Sequence, residues 1–177
     1  PNARAEYEKL EKEIAEEMGD GGSASYQIPN GPNILLPNSD VLSGKLLQLA
    51  GGAMYTDSHT HAYEVLHEEK ITALDDLIES ATSPLLIFYY FASDLDRIEK
   101  KYKGKIPVLD SKDKNVQNMI TRWNNGDIPV MLAHPASVGH GLNLQDGPGH
   151  TAIWFSFPNW DNDKYRQANK RLYRSRS

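Results

Sequence analysis

Pro84-Leu-Leu-Ile-Phe-Tyr-Tyr-Phe91 carries no charge and no polar–apolar alternation over eight residues. A continuous apolar run of that length fits a parallel strand covered on both faces, not a strand with one wet face. Ile128-Pro-Val-Met-Leu-Ala133 and Thr151-Ala-Ile-Trp-Phe-Ser-Phe157 repeat the pattern, and Ile106 to Leu109 is a shorter version. Helical stretches separate them: Ser93 to Tyr102, a helix that Ser111 could cap running to Trp123, and a last one from about Asp161 to Tyr173. Strands alternating with helices of that length predict βαβ units. The expected fold is a three-layer αβα domain with a mainly parallel sheet. In such sheets ligands bind outside the carboxyl ends of the strands, which singles out the loops after Phe91, Ala133 and Phe157.

The N-terminal part has a different texture. Tyr7, Leu10, Ile14 and Met18 recur at helical spacing and predict an exposed amphipathic helix over 2–18. Residues 19–38, rich in Gly, Pro, Asn and Ser, read as a loop. Ser39 or Asp40 could cap a helix through Leu49 that Gly51-Gly52 ends. A short hairpin within 55–66 and a helix over 68–81, with Ile71, Leu74, Leu77 and Ile78 on one face, complete the reading. The chain thus divides into an N-terminal helix and loop, 1–38, and an α/β domain, 39–177.

A net charge of -5 argues against a broad DNA-coating surface. The charge is uneven. Residues 6–20 carry seven acids, whereas Lys164, Arg166, Lys170, Arg171, Arg174 and Arg176 have no acid after Asp163. A basic end on an acidic chain suggests a local anion site. With no cysteine, disulfides and thiolate metal sites are excluded. No apolar run approaches membrane-helix length and Pro1 to Glu6 is not a signal sequence, so a cytoplasmic location is expected.

Two segments carry chemistry. Ala133-His-Pro-Ala-Ser-Val-Gly-His-Gly-Leu-Asn-Leu-Gln145 follows a buried strand directly. Its small residues and two glycines let the backbone approach a ligand, and Ser137 with the loop amides could hold a phosphate oxygen. The bland alternative is a tight strand-to-helix turn. It is not G-x-G-x-x-G, because position 144 is Leu. In Gln167-Ala-Asn-Lys-Arg-Leu-Tyr-Arg174, positions 167, 171 and 174 share one helix face. Neighbouring guanidiniums repel, and a shared anion relieves that repulsion; a planar fork suits phosphoryl oxygens. The bland alternative is cations placed near a helix C-terminus.

Taken together, the order of strand, Ser/Gly turn, strand, aromatic-Pro-Asn-Trp turn and Gln-x3-Arg-x2-Arg helix resembles motifs V and VI of the superfamily-two, Swi/Snf-like helicases and translocases. Residues 134–144 look like motif V, ending in Gly139-His-Gly-Leu-Asn-Leu144; Phe157-Pro-Asn-Trp160 resembles the turn before motif VI; Leu86 to Leu95 resembles motif IV. The variant resembles bacteriophage and prophage members, and the likeness covers about residues 40–174. It implies a C-terminal RecA-like domain. Arg171 and Arg174 would be arginine fingers to the γ-phosphate of ATP. Gln167, Gly139, Gly141 and Asn143 would lie at the nucleotide, and Ser137, His134, Tyr90 and Phe91 towards nucleic acid, DNA in the first place with RNA left open. ATP and Mg would be held mainly by an N-terminal RecA-like domain of the same polypeptide. This chain has no phosphate loop of its own, since Ser43-Gly44-Lys45 lacks the first glycine and a preceding strand. Alone, it is expected to be inactive.

Two alternatives stay open at this point: a free-standing nucleotide- or phosphate-binding module, and a metal-dependent hydrolase. The second would use His59 and His61 of Asp57-Ser-His-Thr-His61, although Gly51 to Thr56 is a poor strand for it and a solvated loop is the simpler reading. His140 reads as a cap for backbone groups, and Trp123, Trp154 and Trp160 as packing residues.

Overall fold

The computed structural model describes residues 3–19, 22–138, 141–158 and 162–172. They form two compact units, residues 1–72 and 73–177.

In the first unit, helix α1 (Ala3–Met18) buries Leu10 and Ile14 and half-buries Tyr7, while Glu8, Glu11 and Glu13 stay in solvent. It is a surface helix with one docked stripe, packed on α2 (Ser39–Gly51) and on strand β1 (Ala24–Gln27). The loop expected over 19–38 is instead a hairpin. Strand β1 pairs antiparallel with β2 (Asn33–Leu36), Ala24 facing Leu36 and Gln27 facing Asn33. The reversal follows a type II turn pattern, with Pro29 at the first central position and Asn30 at φ 59° in the second. The Gly31 amide donates to the Ile28 carbonyl at 2.9 Å, and the Gln27 side chain donates to the Gly31 carbonyl at 2.6 Å.

Helix α2 is capped by Asn38, not by Ser39 or Asp40: the Asn38 side chain accepts from the Val41 amide at 2.9 Å. Gly52 ends it in the left-handed region, φ 94°, where its amide reaches the carbonyls of Gln48 and Leu49. The expected short hairpin follows as β3 (Ala53–Tyr55) against β4 (Tyr63–Val65). Leu36, Leu49 and Met54 lie at the centre of this unit's core.

Helix α3 (Glu69–Ser80) buries Ile71 and Leu74, half-buries Ile78 and leaves Leu77 exposed. The second unit then holds four parallel strands: β5 (Leu85–Phe88), β6 (Val108–Leu109), β7 (Val130–Ala133) and β8 (Thr151–Trp154), in the order β6-β7-β5-β8. Helices α4 (Ala92–Tyr102) and α5 (Val116–Asn124) provide crossovers. This is the mainly parallel α/β architecture that the apolar runs predict. Asp75 ties α3 to α4, accepting from Tyr102 Oη at 2.5 Å and from Lys101 Nζ at 2.6 Å.

Ser111 does not start α5. Asp110 and Asp113 instead accept from the amides of Lys112 and Asn115, closing two local turns before Val116. On α5, Trp123 is fully buried and donates from Nε1 to the Leu144 carbonyl at 3.2 Å. Two glycines let the 143–149 loop lie on this helix end. A Cβ on Gly149 would enter the Trp123 ring, and one on Gly147 the backbone of Asn124.

Candidate functional site

The register sets Phe88 level with Ala133 on one side and with Trp154 on the other, so three strands finish flush. Their continuations are the three loops that the sequence singles out. They are fastened together: the Tyr89 amide donates to the Ala133 carbonyl at 3.2 Å, and the Phe155 amide to the Phe88 carbonyl at 2.8 Å. The third tie comes from a side chain. Ser156 is buried, and its Oγ accepts from the Tyr90 amide at 2.7 Å. A lone serine at the end of an apolar run gives no sequence signal, and Ser156 was not among the expected site residues.

His134 stands at the centre of this edge. Its ring stacks on Tyr90 (5.5 Å, 25°) and meets Tyr89 edge-on (5.7 Å). Its Nδ1 accepts from the Ala136 amide at 3.1 Å, which assigns the proton of the neutral ring to Nε2. Burial lowers the His134 pKa, opposed by a hydrogen bond with the Tyr90 backbone and helped by the charge of Lys164. Phe91 packs against Tyr90 at 5.3 Å. His134, Tyr90 and Phe91, expected at a common site, are therefore neighbours. Ser137 is half-buried on α6 (Pro135–Val138), a single turn whose start is fixed by the Ser137 amide donating to the His134 carbonyl at 2.9 Å.

The rest of the glycine segment is held by local bonds. Gly141 sits at φ 84° in open space, so glycine is required there by conformation and not by crowding. Asn143 donates to Asp146 at 2.6 Å, accepts from the Gln145 amide at 3.1 Å, and offers its carbonyl to the Asn124 side chain at 3.0 Å. Gly139, His140, Trp160 and Arg174 lie outside the described residues.

Helix α7 (Asn162–Leu172) packs on α6 and on β8. Ala168 and Leu172, one turn apart, enter the sheet core. Two further bonds lock the helix: Trp154 Nε1 to Asn169 Oδ1 at 3.1 Å, and Gln145 Nε2 to the Lys170 carbonyl at 2.8 Å. Gln167 and Arg171 flank the buried stripe, Gln167 exposed and Arg171 half-buried. Trp154, Phe157 and Tyr165 form a ring cluster beside β8, with Phe157 and Tyr165 exposed.

Asp57, His59 and His61 occupy the β3–β4 connection. The Asp57 carboxylate accepts the amides of His59 at 2.8 Å and Thr60 at 2.7 Å, a turn-closing role. Among the described residues no three His, Cys, Asp or Glu side chains converge as a metal site would require.

Comparison with known proteins agrees with the geometry of the sheet unit. The chain is 39% identical over 172 residues to protein p41 of Acyrthosiphon pisum secondary endosymbiont phage 1, covering 96% of this chain and 33% of that one. It therefore spans about a third of the length of this relative. The crystal structure of the C-terminal part of the Fun30 ATPase domain superimposes with a TM-score of 0.50 at 26% identity, over 59% of this chain and 36% of that one. The Hef helicase domain of Pyrococcus furiosus matches at a TM-score of 0.40 and 12% identity, over 96% of this chain and 32% of the other, which is too slight to support a conclusion. No family model matches. The chain carries a helicase-like motor domain fold, to which a C-terminal RecA-like assignment fits, and it has a phage relative. No described helix is long and apolar enough to cross a membrane.

Proposed function

We propose that this chain is the C-terminal motor half of an ATP-dependent helicase or translocase of the Swi/Snf-like group, acting on DNA in the cytoplasm of a bacterial host. Residues 39–177 would be the motor region, with 1–38 leading into it. The observation that carries the reading is the packing of α7 on the α6 turn at the carboxyl edge of the sheet, with Gln167 and Arg171 flanking the buried stripe. A guanidinium and a carboxamide beside that stripe are donors suited to phosphate oxygens. Bound ATP supplies the phosphoanhydride bond that is cleaved, and Mg with the phosphate loop would come from an N-terminal domain of the longer polypeptide.

In this reading Arg171 is held by the docked helix so that its charge meets the negative charge developing on the transferred phosphoryl group, and Arg174 would be the second arginine finger. Gln167 lies one turn before it and orients the same face. Gly141 lets the backbone turn towards the nucleotide, Gly139 would lie at the nucleotide too, and Asn143 fixes the loop through Asp146 and Gln145. His134, Ser137, Tyr90 and Phe91 touch the nucleic-acid backbone without reading sequence.

The test is Arg171→Ala in the full-length polypeptide. ATP turnover is expected to fall by about 10³-fold or more, the usual worth of an arginine finger, while ATP binding changes little. Unchanged turnover would overturn the assignment.

A further inference from the structure

Two segments that the motor reading leaves without a role, Ser43-Gly44-Lys45 and Asp57 to His61, meet at one cavity in the N-terminal unit. The cavity has a volume of about 560 Å³ and is walled by residues of β2, α2 and the β3–β4 connection. That volume is within the range of about 300–1,000 Å³ usual for small-molecule sites.

Its lining carries one ammonium, Lys45, and one carboxylate, Asp57. Lys45, half-buried on the α2 wall, donates from Nζ to the Tyr55 carbonyl at 2.5 Å and to Gln48 Oε1 at 3.4 Å. Both acceptors are neutral, and no described carboxylate lies within ion-pair distance of Lys45. Burial accordingly lowers its pKa with no opposing charge. Asp57, on the β3–β4 connection, is not within ion-pair distance of Lys45, and its carboxylate already receives the His59 and Thr60 amides. An ammonium withdrawn from water without a counter-ion is costly, and an anion in the cavity would supply the missing partner.

The remaining lining says which anion. Ser58 and His61 bring a hydroxyl and an imidazole, side chains that donate to phosphate oxygens, while the Thr56 hydroxyl donates to the Ala62 carbonyl at 3.3 Å. Tyr55, held edge-on by His61 and Tyr63 at 6.2 and 6.3 Å, and Leu35, 75% exposed, add an aromatic and an apolar surface suited to a planar ring. We infer that this cavity binds a nucleoside phosphate, its phosphate at Lys45 and His61 and its base against Tyr55 and Leu35. A free mononucleotide and the 5′-phosphorylated end of a nucleic-acid strand share this chemistry. The inference uses none of the site residues named for the motor, which all belong to the unit of residues 73–177.

The test titrates the 177-residue protein with AMP, adenosine, inorganic phosphate and 5′-phosphorylated oligothymidylate. The ring resonances of His61 and calorimetry are followed together. AMP or the oligonucleotide should move the His61 signals and saturate, with adenosine and phosphate each at least about tenfold weaker. Saturation by AMP alone identifies a free nucleotide as the source, and tighter binding of the oligonucleotide a strand end. Lys45→Gln should weaken binding about tenfold, and Lys45→Arg should restore most of it. Because Lys45 also holds the Tyr55 carbonyl, His61→Asn is the second variant: asparagine tolerates the φ of 55° at this position, and about a threefold loss is expected. The inference fails if His61 does not respond to about 10 mM AMP or oligonucleotide, or if affinity is unchanged in both Lys45→Gln and His61→Asn. Loss of ATP turnover in Arg171→Ala has no bearing on any of these outcomes.

Discussion

In the sheet unit every residue of β5 is buried, while in the N-terminal hairpin β2 alternates, Leu36 at 1% exposure beside Leu35 at 75%. The first kind of strand announces itself, because four apolar residues in a row need cover on both faces. In the second the burial alternates but the residue types do not, because Leu35 is apolar and faces out, so no period of two is written in Ile34-Leu35-Leu36. Its turn is equally well hidden. Asn30-Gly31 sits between Pro29 and Pro32, which reads as irregular chain until Asn30 is seen at φ 59°.

The contrast can be broken at its strongest point first. Trp123→Ala should cost the sheet unit about 3–5 kcal/mol, since the ring is fully buried and also seats Gly149 and the Leu144 carbonyl. Urea unfolding followed by the remaining tryptophans would measure it. A loss below about 1 kcal/mol would mean that the ring is not the keystone of this core. Next comes the hairpin register. Leu36→Ala should lose about 2–5 kcal/mol, and Leu35→Ala should stay within about 0.5 kcal/mol. Equal effects in thermal unfolding would refute the observed pairing of Ala24 with Leu36.

The smallest effect sharpens the picture of the sheet's edge. The folded pKa of His134 is depressed below the ordinary value of about 6.5. As pH falls the unfolded chain therefore takes up this proton first. The stability that the neutral ring contributes is present above about 6.5 and drains away towards the lower folded pKa. His134→Asn should flatten the fall in unfolding midpoint between about pH 7 and 5.5, with the midpoint at pH 8 changing less. An identical pH profile in the variant would remove His134 from the account.

Three of the residues expected at the site are brought together by the elements that lead to them. Strand ends can be located from apolar runs, and the loops beyond them inherit their position; this is how Tyr90, Phe91 and His134 fall together. Bonds made by single polar side chains were not legible. Ser156 is one serine among aromatics, and nothing in its neighbours marks it as the acceptor for Tyr90. Starts of helices were ambiguous for the opposite reason, too many candidates. Asn38, Ser39 and Asp40 are three capping types in a row, and 110–115 holds several more. Competition among equivalent side chains is settled by geometry that sequence does not contain.

The bond from the Tyr90 amide to Ser156 has an evolutionary corollary. Its donor belongs to the main chain, so no exchange of side chain at position 90 can compensate for losing the hydroxyl 66 positions away. Ser156 should tolerate threonine and little else, whatever drifts around it.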